Sequence, residues 1–444
     1  MAGFVGPSGS RSVVEVLRSL RDGQPGSEPP FPPLTGSLPC AHHDVDPILQ
    51  IKAPGRALTS GNRCSDTARE EPLMKTRRWK RVHMILVVMV CLAGCGSGDG
   101  TGPTSDEPIT VTPQQGLMGF AASLDSIRVE LRIPGMGAAI GRDGRIVWAE
   151  GFGYANAESE RRATSRTPFH LASLTKPFGA TVLMQLVDQG LVKLDDPVSD
   201  YGVELSSTGT IRVRHLLTHT SEGTPGARYA YNGNRFAYLD QVIDSASGRT
   251  FESLLQEQIL GPLGLEDTAP NPRDQSAFEV TGMDRDAFTA RMASGYALQG
   301  HSIARLDHPD YFGVSGGLVA SAEDMVKFSM AIDDSRFLKA EIWEQVYTPA
   351  VSNAGETLAY GLGWFIVEHE GIMLQWHYGH WTTNSSLIVR VPEERLTFVV
   401  VANTPQLSAA YGLGGDNNVL RSAVASLFVD TYVLGDEPLP GDRR

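Results

Sequence analysis

Ser173 and Lys176 stand three residues apart in the run His170-Leu171-Ala172-Ser173-Leu174-Thr175-Lys176-Pro177-Phe178, at what reads as the start of a helix. Residues i and i+3 of a helix share a face, so the two side chains would meet. A serine hydroxyl is a weak nucleophile at neutral pH. A neighbouring amine kept neutral by burial can take its proton and turn it into an acyl acceptor. If Ser173 opens the helix, its N–H also points outward, where it can bind a developing oxyanion. Phe178, Val182, Leu186 and Val187 follow at helical spacing, and Pro177 falls in a first turn, where its missing N–H has no intrahelical acceptor. Alone, the same spacing fits a solvated serine and lysine on a surface helix.

The elements that must position this pair are legible on both sides of it. Leu117, Phe120, Leu124, Ile127 and Leu131 step by three and four, which predicts an amphipathic helix over 116–132 ending at Pro134-Gly135. Gly137 to Ile140 and Arg145 to Glu150 flank Asp143-Gly144, a hairpin signal. Ser385 to Val391 and Leu396 to Asn403 flank Pro392-Glu393-Glu394-Arg395 and read as a second hairpin, followed by an apolar helix from about Asn417 to Val433. Strands near both chain ends imply one sheet built from both. The middle, about 178–337, is mainly helical and loop-rich and would form a second lobe.

The chain of 444 residues is 41% hydrophobic and 20% charged, which leaves room for a large core. Its cysteines are Cys40, Cys64, Cys91 and Cys95. The expected globular part therefore holds no disulfide and no cysteine metal site. From Met74 the order is a basic stretch (Lys75, Arg77, Arg78, Lys80, Arg81), the apolar run Met84 to Leu92, and small residues before Cys95. This order is that of an export signal, too short to span a bilayer comfortably. It resembles a bacterial lipoprotein signal with Leu92-Ala93-Gly94-Cys95 as lipobox and Cys95 lipidated, placing the protein in a bacterial cell envelope on the extracytoplasmic side. Translation is then expected to start near Met74, with 1–73 a mis-called start or disordered extension, 74–94 the signal and 95–115 a flexible tether. The globular domain is expected over 116–434 and a tail over 435–444. Residues 1–94 carry 12 Lys+Arg against 8 Asp+Glu, so removing their +4 from the whole-chain −13 leaves −17. An acidic surface of this kind repels nucleic acid.

Together these runs resemble the superfamily of serine β-lactamases, penicillin-binding proteins and carboxylesterases, in its class C-like branch. The similarity covers about 117–430. It rests on Ser173-Leu174-Thr175-Lys176, the turn Pro225 to Tyr231, and Trp376-His377-Tyr378-Gly379, with accessory runs at Arg214 to Ser221, Pro262 to Leu265, Gly316-Gly317-Leu318 before Asp324, and Tyr360 to Trp364. The resemblance implies an α+β fold, an antiparallel sheet flanked by helices on both faces with a mainly helical second lobe. It also implies roles. Ser173 would be the nucleophile, Lys176 its base, and Tyr231 a phenolic acid/base. His377-Tyr378-Gly379 would be the strand motif, the N–H of His380 completing the oxyanion hole with that of Ser173. Two positions depart from the family pattern. Its usual Tyr-x-Asn is here Tyr231-Asn232-Gly233-Asn234, leaving Asn232 or Asn234 to contact substrate and Lys176. At Tyr378 the family commonly carries a small hydroxyl residue that helps bind a substrate carboxylate, so Tyr378 beside His377 weakens the case for β-lactams and D-Ala-D-Ala termini.

The expected protein is thus a serine hydrolase without metal or organic cofactor. It acts on small or peptidoglycan-derived acyl substrates, esters first, with a D-Ala-D-Ala carboxypeptidase, a D-aminopeptidase or a β-lactamase as alternatives. A non-turnover binder of cell-wall fragments is the rival from another class. His215 and His219 stand four apart as zinc ligands do, but no Glu lies in the acidic place between them and no third ligand is evident, so they read as structural. His377 and His380 would face opposite sides of a strand, which speaks against a shared metal. Trp364, Trp376 and Trp381 suit core packing at least as well as an acyl pocket.

Overall fold

Asp143 and Gly144 both adopt positive φ, 49° and 72°, as a tight two-residue hairpin requires. They join β1 (Gly135–Arg142) to β2 (Arg145–Asn156). The computed structural model describes residues 113–300, 302–414, 418–435 and 437–441. The expected extension, export signal, Cys95, most of the tether and the last tail residues lie outside the described residues.

Ten further strands follow in the described chain: β3 (Arg161–Arg162), β4 (Phe169–His170), β5 (Ala269–Pro270), β6 (Tyr296–Gln299), β7 (Ser302–Arg305), β8 (Leu318–Ala320), β9 (Phe365–His369), β10 (Ile372–Trp381), β11 (Asn384–Val391) and β12 (Leu396–Ala402). The main sheet runs β3-β2-β1-β12-β11-β10-β9, all antiparallel, so both chain ends do share it. β4, β8 and β5 form a small second sheet and β6–β7 a separate hairpin. At two to four residues each, these strands are too short for alternation to reveal them in the sequence.

Alternate residues of the central strands pack on opposite faces. Phe398 and Val400 join Leu117, Phe120, Leu124 and Phe428 on one side, where α1 (Pro113–Glu130) and the C-terminal helix lie. Val399 and Val401 join Phe178, Val182, Met325 and Phe328 on the other, from α2 (Lys176–Asp188) and α5 (Ala322–Asp333). A sheet buried on both faces explains the near-continuous apolar run of β12. Phe178 stacks on Phe328 at 3.8 Å between ring centres, locking α2 against α5. The other helices relevant here, α3 (Gly233–Ala237) and α4 (Leu239–Ser247), belong to the expected helical lobe between α2 and α5.

The structure corrects three boundaries. The first helix spans 113–130 rather than 116–132, because Arg132 takes a left-handed φ of 55° before Pro134. The C-terminal helix is not continuous from 417: a 3₁₀ turn Val419–Arg421 precedes α7 (Ala423–Phe428), capped by Ser422, and a π turn Val429–Val433 follows. Between them and β12 lies the short α6 (Gln406–Ala409). Ser173 does not open the α-helix itself. It sits in a 3₁₀ turn, Ala172–Thr175, and the α-helix begins at Lys176 with Pro177 in its first turn.

Candidate active site

The turn that carries Ser173 is clamped at several points. Ala172 adopts φ 51°, a left-handed conformation that costs a non-glycine residue free energy. Its carbonyl accepts from Thr175 Oγ1 at 2.7 Å, and its N–H donates to His170 Nδ1 at 3.1 Å. From β11, Asn384 Nδ2 donates to His170 O at 2.8 Å and Ser386 Oγ donates to Leu171 O at 2.7 Å. Gly379 of β10 presses on the same segment: a Cβ there would lie 1.9 Å from Leu171 O and 2.2 Å from Ser386 Oγ. Only glycine fits at 379, and the close approach sets β10 beside the Ser173 turn.

Lys176 Nζ lies 3.0 Å from Ser173 Oγ and donates to Ser315 O at 2.7 Å. The lysine is fully buried, and burial brings its pKa down from 10.5 to about 7. At neutral pH a large fraction of this amine is therefore uncharged, with a lone pair available to the serine proton. Tyr231 packs above it, its ring centre 5.1 Å from Nζ. Burial, then the neighbouring Tyr378, pushes the Tyr231 phenol well above its ordinary value. Ser173 works weakly against that shift, but the Tyr231 hydroxyl reaches hydrogen-bond geometry with no described group.

His377 is fully buried on β10. Its Nδ1 lies 2.7 Å from Tyr378 O, a carbonyl that can only accept, so Nδ1 carries the proton and Nε2 accepts from Tyr360 Oη at 3.0 Å. Burial first, and Lys176 second, hold its pKa down at about 3. It is neutral at pH 7. Tyr378 is 7% exposed, turned to the opposite face, beside Tyr231 at 5.8 Å and against Gly414. β9 pairs with Ile372–Trp376, so beyond Trp376 that edge of β10 has no strand neighbour among the described residues. The His380 side chain is exposed there, opposite in facing to His377.

Ser173, Lys176, Tyr231, His377, Tyr378 and Gly379 thus lie together, while the exposed His380 side chain makes no contact with them. Asn232 and Asn234 do not reach the amine. Asn232 donates to Glu222 Oε1 at 2.5 Å and accepts from Arg235 N at 2.9 Å as the cap of α3, and Asn234 is exposed. Gly233 faces Lys176, a Cβ there meeting Nζ at 3.7 Å. The backbone carbonyl of Ser315 supplies the contact expected of an amide.

Sequence reading missed Ser315, Tyr360 and His219. Ser315 adjoins the Gly316-Gly317 run and Tyr360 opens the Tyr360 to Trp364 run, so both lay beside recognised signals. His219, read as structural, packs on Tyr231 with ring centres 4.2 Å apart and planes tilted by 34°, and has φ 54°. Its Nδ1 accepts from Asn232 N–H at 3.2 Å, which leaves a buried Nε2–H without a described partner. No group of three or more metal-ligating side chains occurs among the described residues.

A family model described as Beta-lactamase matches residues 116–417. Among curated relatives, penicillin-binding protein 4* of Bacillus subtilis (strain 168) is 25% identical over 343 residues, 66% of this chain and 72% of that protein. The D-aminopeptidase of Gluconobacter oxydans (strain 621H) is 27% identical over 330 residues, 66% of this chain and 60% of that protein. Among solved structures, the octameric penicillin-binding protein homologue from Pyrococcus abyssi superimposes with a TM-score of 0.61 at 24% identity, over 73% of this chain and 79% of that one.

Proposed function

The chain belongs to the beta-lactamase family, and from that membership we propose that it is a serine hydrolase acting through a Ser173 acyl-enzyme, with neutral esters as its preferred substrates. The observation that carries this reading is the buried amine 3.0 Å from a serine hydroxyl, its pKa brought to about 7. Lys176 Nζ takes the Ser173 proton as Oγ attacks the substrate carbonyl carbon. The N–H groups of Ser173 and His380 hold the oxyanion. Collapse breaks the bond to the leaving oxygen, which takes its proton from Tyr231, and Lys176 returns a proton to the phenol. Water then adds to the acyl-enzyme and releases the acid.

Two features favour neutral substrates. A carboxylate beside the scissile bond would lose hydration and needs a cation or strong donors in return. The strand motif offers neutral His377, whose ring nitrogens are both already engaged, and Tyr378, packed on the opposite face. We expect hydrolysis of short p-nitrophenyl esters with kcat/KM at least about tenfold above that for nitrocefin, a difference of about 1.4 kcal/mol. Efficient nitrocefin turnover reverses the ranking. The D-aminopeptidase relative favours a second reading, hydrolysis of D-amino-acid amides. Faster release from D-alanine p-nitroanilide than from the esters would put that reading first. A single stoichiometric burst without turnover would mark a binder instead.

Tyr231→Phe keeps the ring and deletes the proton donor, so ester turnover should fall about 10²–10⁴-fold. If Tyr229→Phe is damaging and Tyr231→Phe silent, the donor is the wrong tyrosine. The site is proposed to work outside the cytoplasm, tethered to a membrane by lipid on Cys95. Expression from Met74 should give a membrane-bound, globomycin-sensitive protein that Cys95→Ser releases or stalls. A soluble cytoplasmic full-length product contradicts the anchor.

A further inference from the structure

The carbonyl that receives Lys176 stands at the tip of a two-residue turn. Gly313 N–H donates to Gly316 O at 3.0 Å and Gly316 N–H to Gly313 O at 3.1 Å, with Val314 and Ser315 between them. The turn runs on into β8, where Leu318 N–H donates to Thr175 Oγ1 at 3.0 Å and ties it to the Ser173 turn. Val314 is fully buried against α2: a Cβ on Gly179 would lie 2.8 Å from both its Cβ and its carbonyl oxygen. Two side chains fix the tip from the other side. Asp240, in the first turn of α4, accepts from Val314 N–H through Oδ1 at 3.0 Å. Tyr311 Oη lies 2.9 Å from Ser315 Oγ. Both press on Gly313, where a Cβ would lie 2.5 Å from Asp240 Oδ2 and 2.6 Å from Tyr311 Oη. Between the two held N–H groups, of Val314 and Gly316, the soft torsions are the φ and ψ of Val314 and Ser315 alone, so these holds set the direction of Ser315 O.

Asp240 is not explained by stability. It is half-buried, and no Lys or Arg pairs with it among the described residues. Burial pushes its carboxyl up to about 7 against the pull of the Val314 N–H, with Asp244 and Glu252 adding to the rise. A carboxyl in such a place costs free energy. Its hydrogen bond goes to the residue before Ser315. The stretch 231–240 thus meets the lysine twice. Tyr231 and Phe236 lay their rings 5.1 and 5.3 Å from Nζ, and Asp240 holds the turn whose carbonyl accepts from Nζ. A neutral amine that commits one N–H to Ser315 O is fixed about its last bond, which leaves its lone pair free to face Ser173 Oγ.

We propose that Asp240 is a positioning residue for the Lys176 base: by holding Val314 N–H it keeps Ser315 O turned to Nζ, and so keeps the amine turned to Ser173. The proposal rests on the serine-hydrolase reading above, and it adds a residue that acts on the amine through the backbone.

The test compares Asp240→Ala, which deletes the acceptor, with Asp240→Asn, whose Oδ1 can still take the Val314 N–H. Hydrolysis of p-nitrophenyl acetate by the full chain is measured at pH 8 per mole of site titrated by a fluorophosphonate, so that only folded sites count. In Asp240→Ala, kcat should fall about 10–100-fold with KM within about threefold of wild type, and Asp240→Asn should recover most of the loss. Lys176 is read separately through the ¹³C signal of its ε-carbon in lysine-labelled protein, assigned with Lys176→Met. Donation to Ser315 O favours the ammonium form, so the Lys176 pKa should drop below about 7 in Asp240→Ala and return in Asp240→Asn. An unchanged kcat per titrated site, an equal loss in Asp240→Asn, or an unmoved or raised Lys176 pKa overturns the positioning role and leaves the hydrolase reading standing. Should the wild type turn over no ester, the hydrolase reading fails, and the pKa comparison alone decides for or against Asp240. If Asp240→Ala does not fold, Gly313→Ala, which crowds Asp240 Oδ2 and Tyr311 Oη, takes its place: the same fall in kcat and in the Lys176 pKa upholds the role, and their absence overturns it.

Discussion

Ser173→Ala should lower ester hydrolysis by about 10³-fold or more and abolish covalent labelling by a fluorophosphonate, while the thermal midpoint stays within a few degrees of wild type. The substitution removes one oxygen. Ser173 is half-buried, and its hydroxyl oxygen accepts from Lys176 Nζ, which keeps Ser315 O as a partner. The clamps on the turn come from Thr175, His170, Asn384 and Ser386, none of which needs the Ser173 side chain. Intact-protein mass after labelling reads the nucleophile directly. Retention of more than a few per cent of the activity, or of the mass shift, would remove Ser173 from that role.

Lys176→Met should cost nearly as much activity, because a nucleophile and its base act as one unit. Two pH readouts separate this role from a packing role. With a folded pKa of about 7, the amine is the competent base above that value. Wild-type kcat/KM should therefore climb with unit slope below pH 7 and level off above it, and the variant's residual activity should lack that limb. Stability should also rise with pH, but in a higher window than activity. The folded pKa lies below the unfolded 10.5, so between about 7 and 10.5 the unfolded chain binds more protons and stability rises with pH. At or below pH 7 the full cost of burying the amine is present, on the order of a few kcal/mol. Lys176→Met should thus melt higher than wild type at pH 7, less the cost of leaving Ser315 O unpaired, and the gap should close toward pH 10. A gap that does not change with pH would mean that the buried amine is not neutral.

The sequence revealed most where a residue's chemistry and its spacing agree. Asp143-Gly144 announced the first hairpin because a tight turn needs residues tolerant of positive φ, Pro392 marked the second because it cannot donate to a ladder, and the sheet from both chain ends followed. Ser173, Lys176, His377 and Gly379 were legible as candidates because each sits in a run whose order singles it out. What stayed hidden depended on distant contacts. Nothing local to Ser315 says that its carbonyl will meet an amine 139 residues earlier. Nothing local to Asn232 says that its side chain will cap α3 and not touch Lys176. The 3₁₀ turn under Ser173 escaped helical periodicity because it is a single turn, too short to show a stripe. His219 looked like one of a pair with His215. Its packing on Tyr231 depends on a left-handed backbone bend that spacing does not encode.

The two strands that flank the seam between chain ends, β1 and β12, are also a clock. Met136 pairs with Ala402 and Arg142 with Leu396, and the Ser173 turn is pinned to β11 across 214 and 215 residues of chain. A ribosome delivers the nucleophile long before it delivers its supports. Contacts so remote in sequence form late and slowly, since the loop between them must first be closed at an entropic cost. Until β10, β11 and β12 have emerged, Ser173 has neither the β10 edge nor the anchors of its turn. A nascent or truncated chain ending before residue 384 carries every acid–base group of the site but lacks β11, whose Asn384 and Ser386 anchor the Ser173 turn, so hydrolytic competence arrives all at once, at the end of folding.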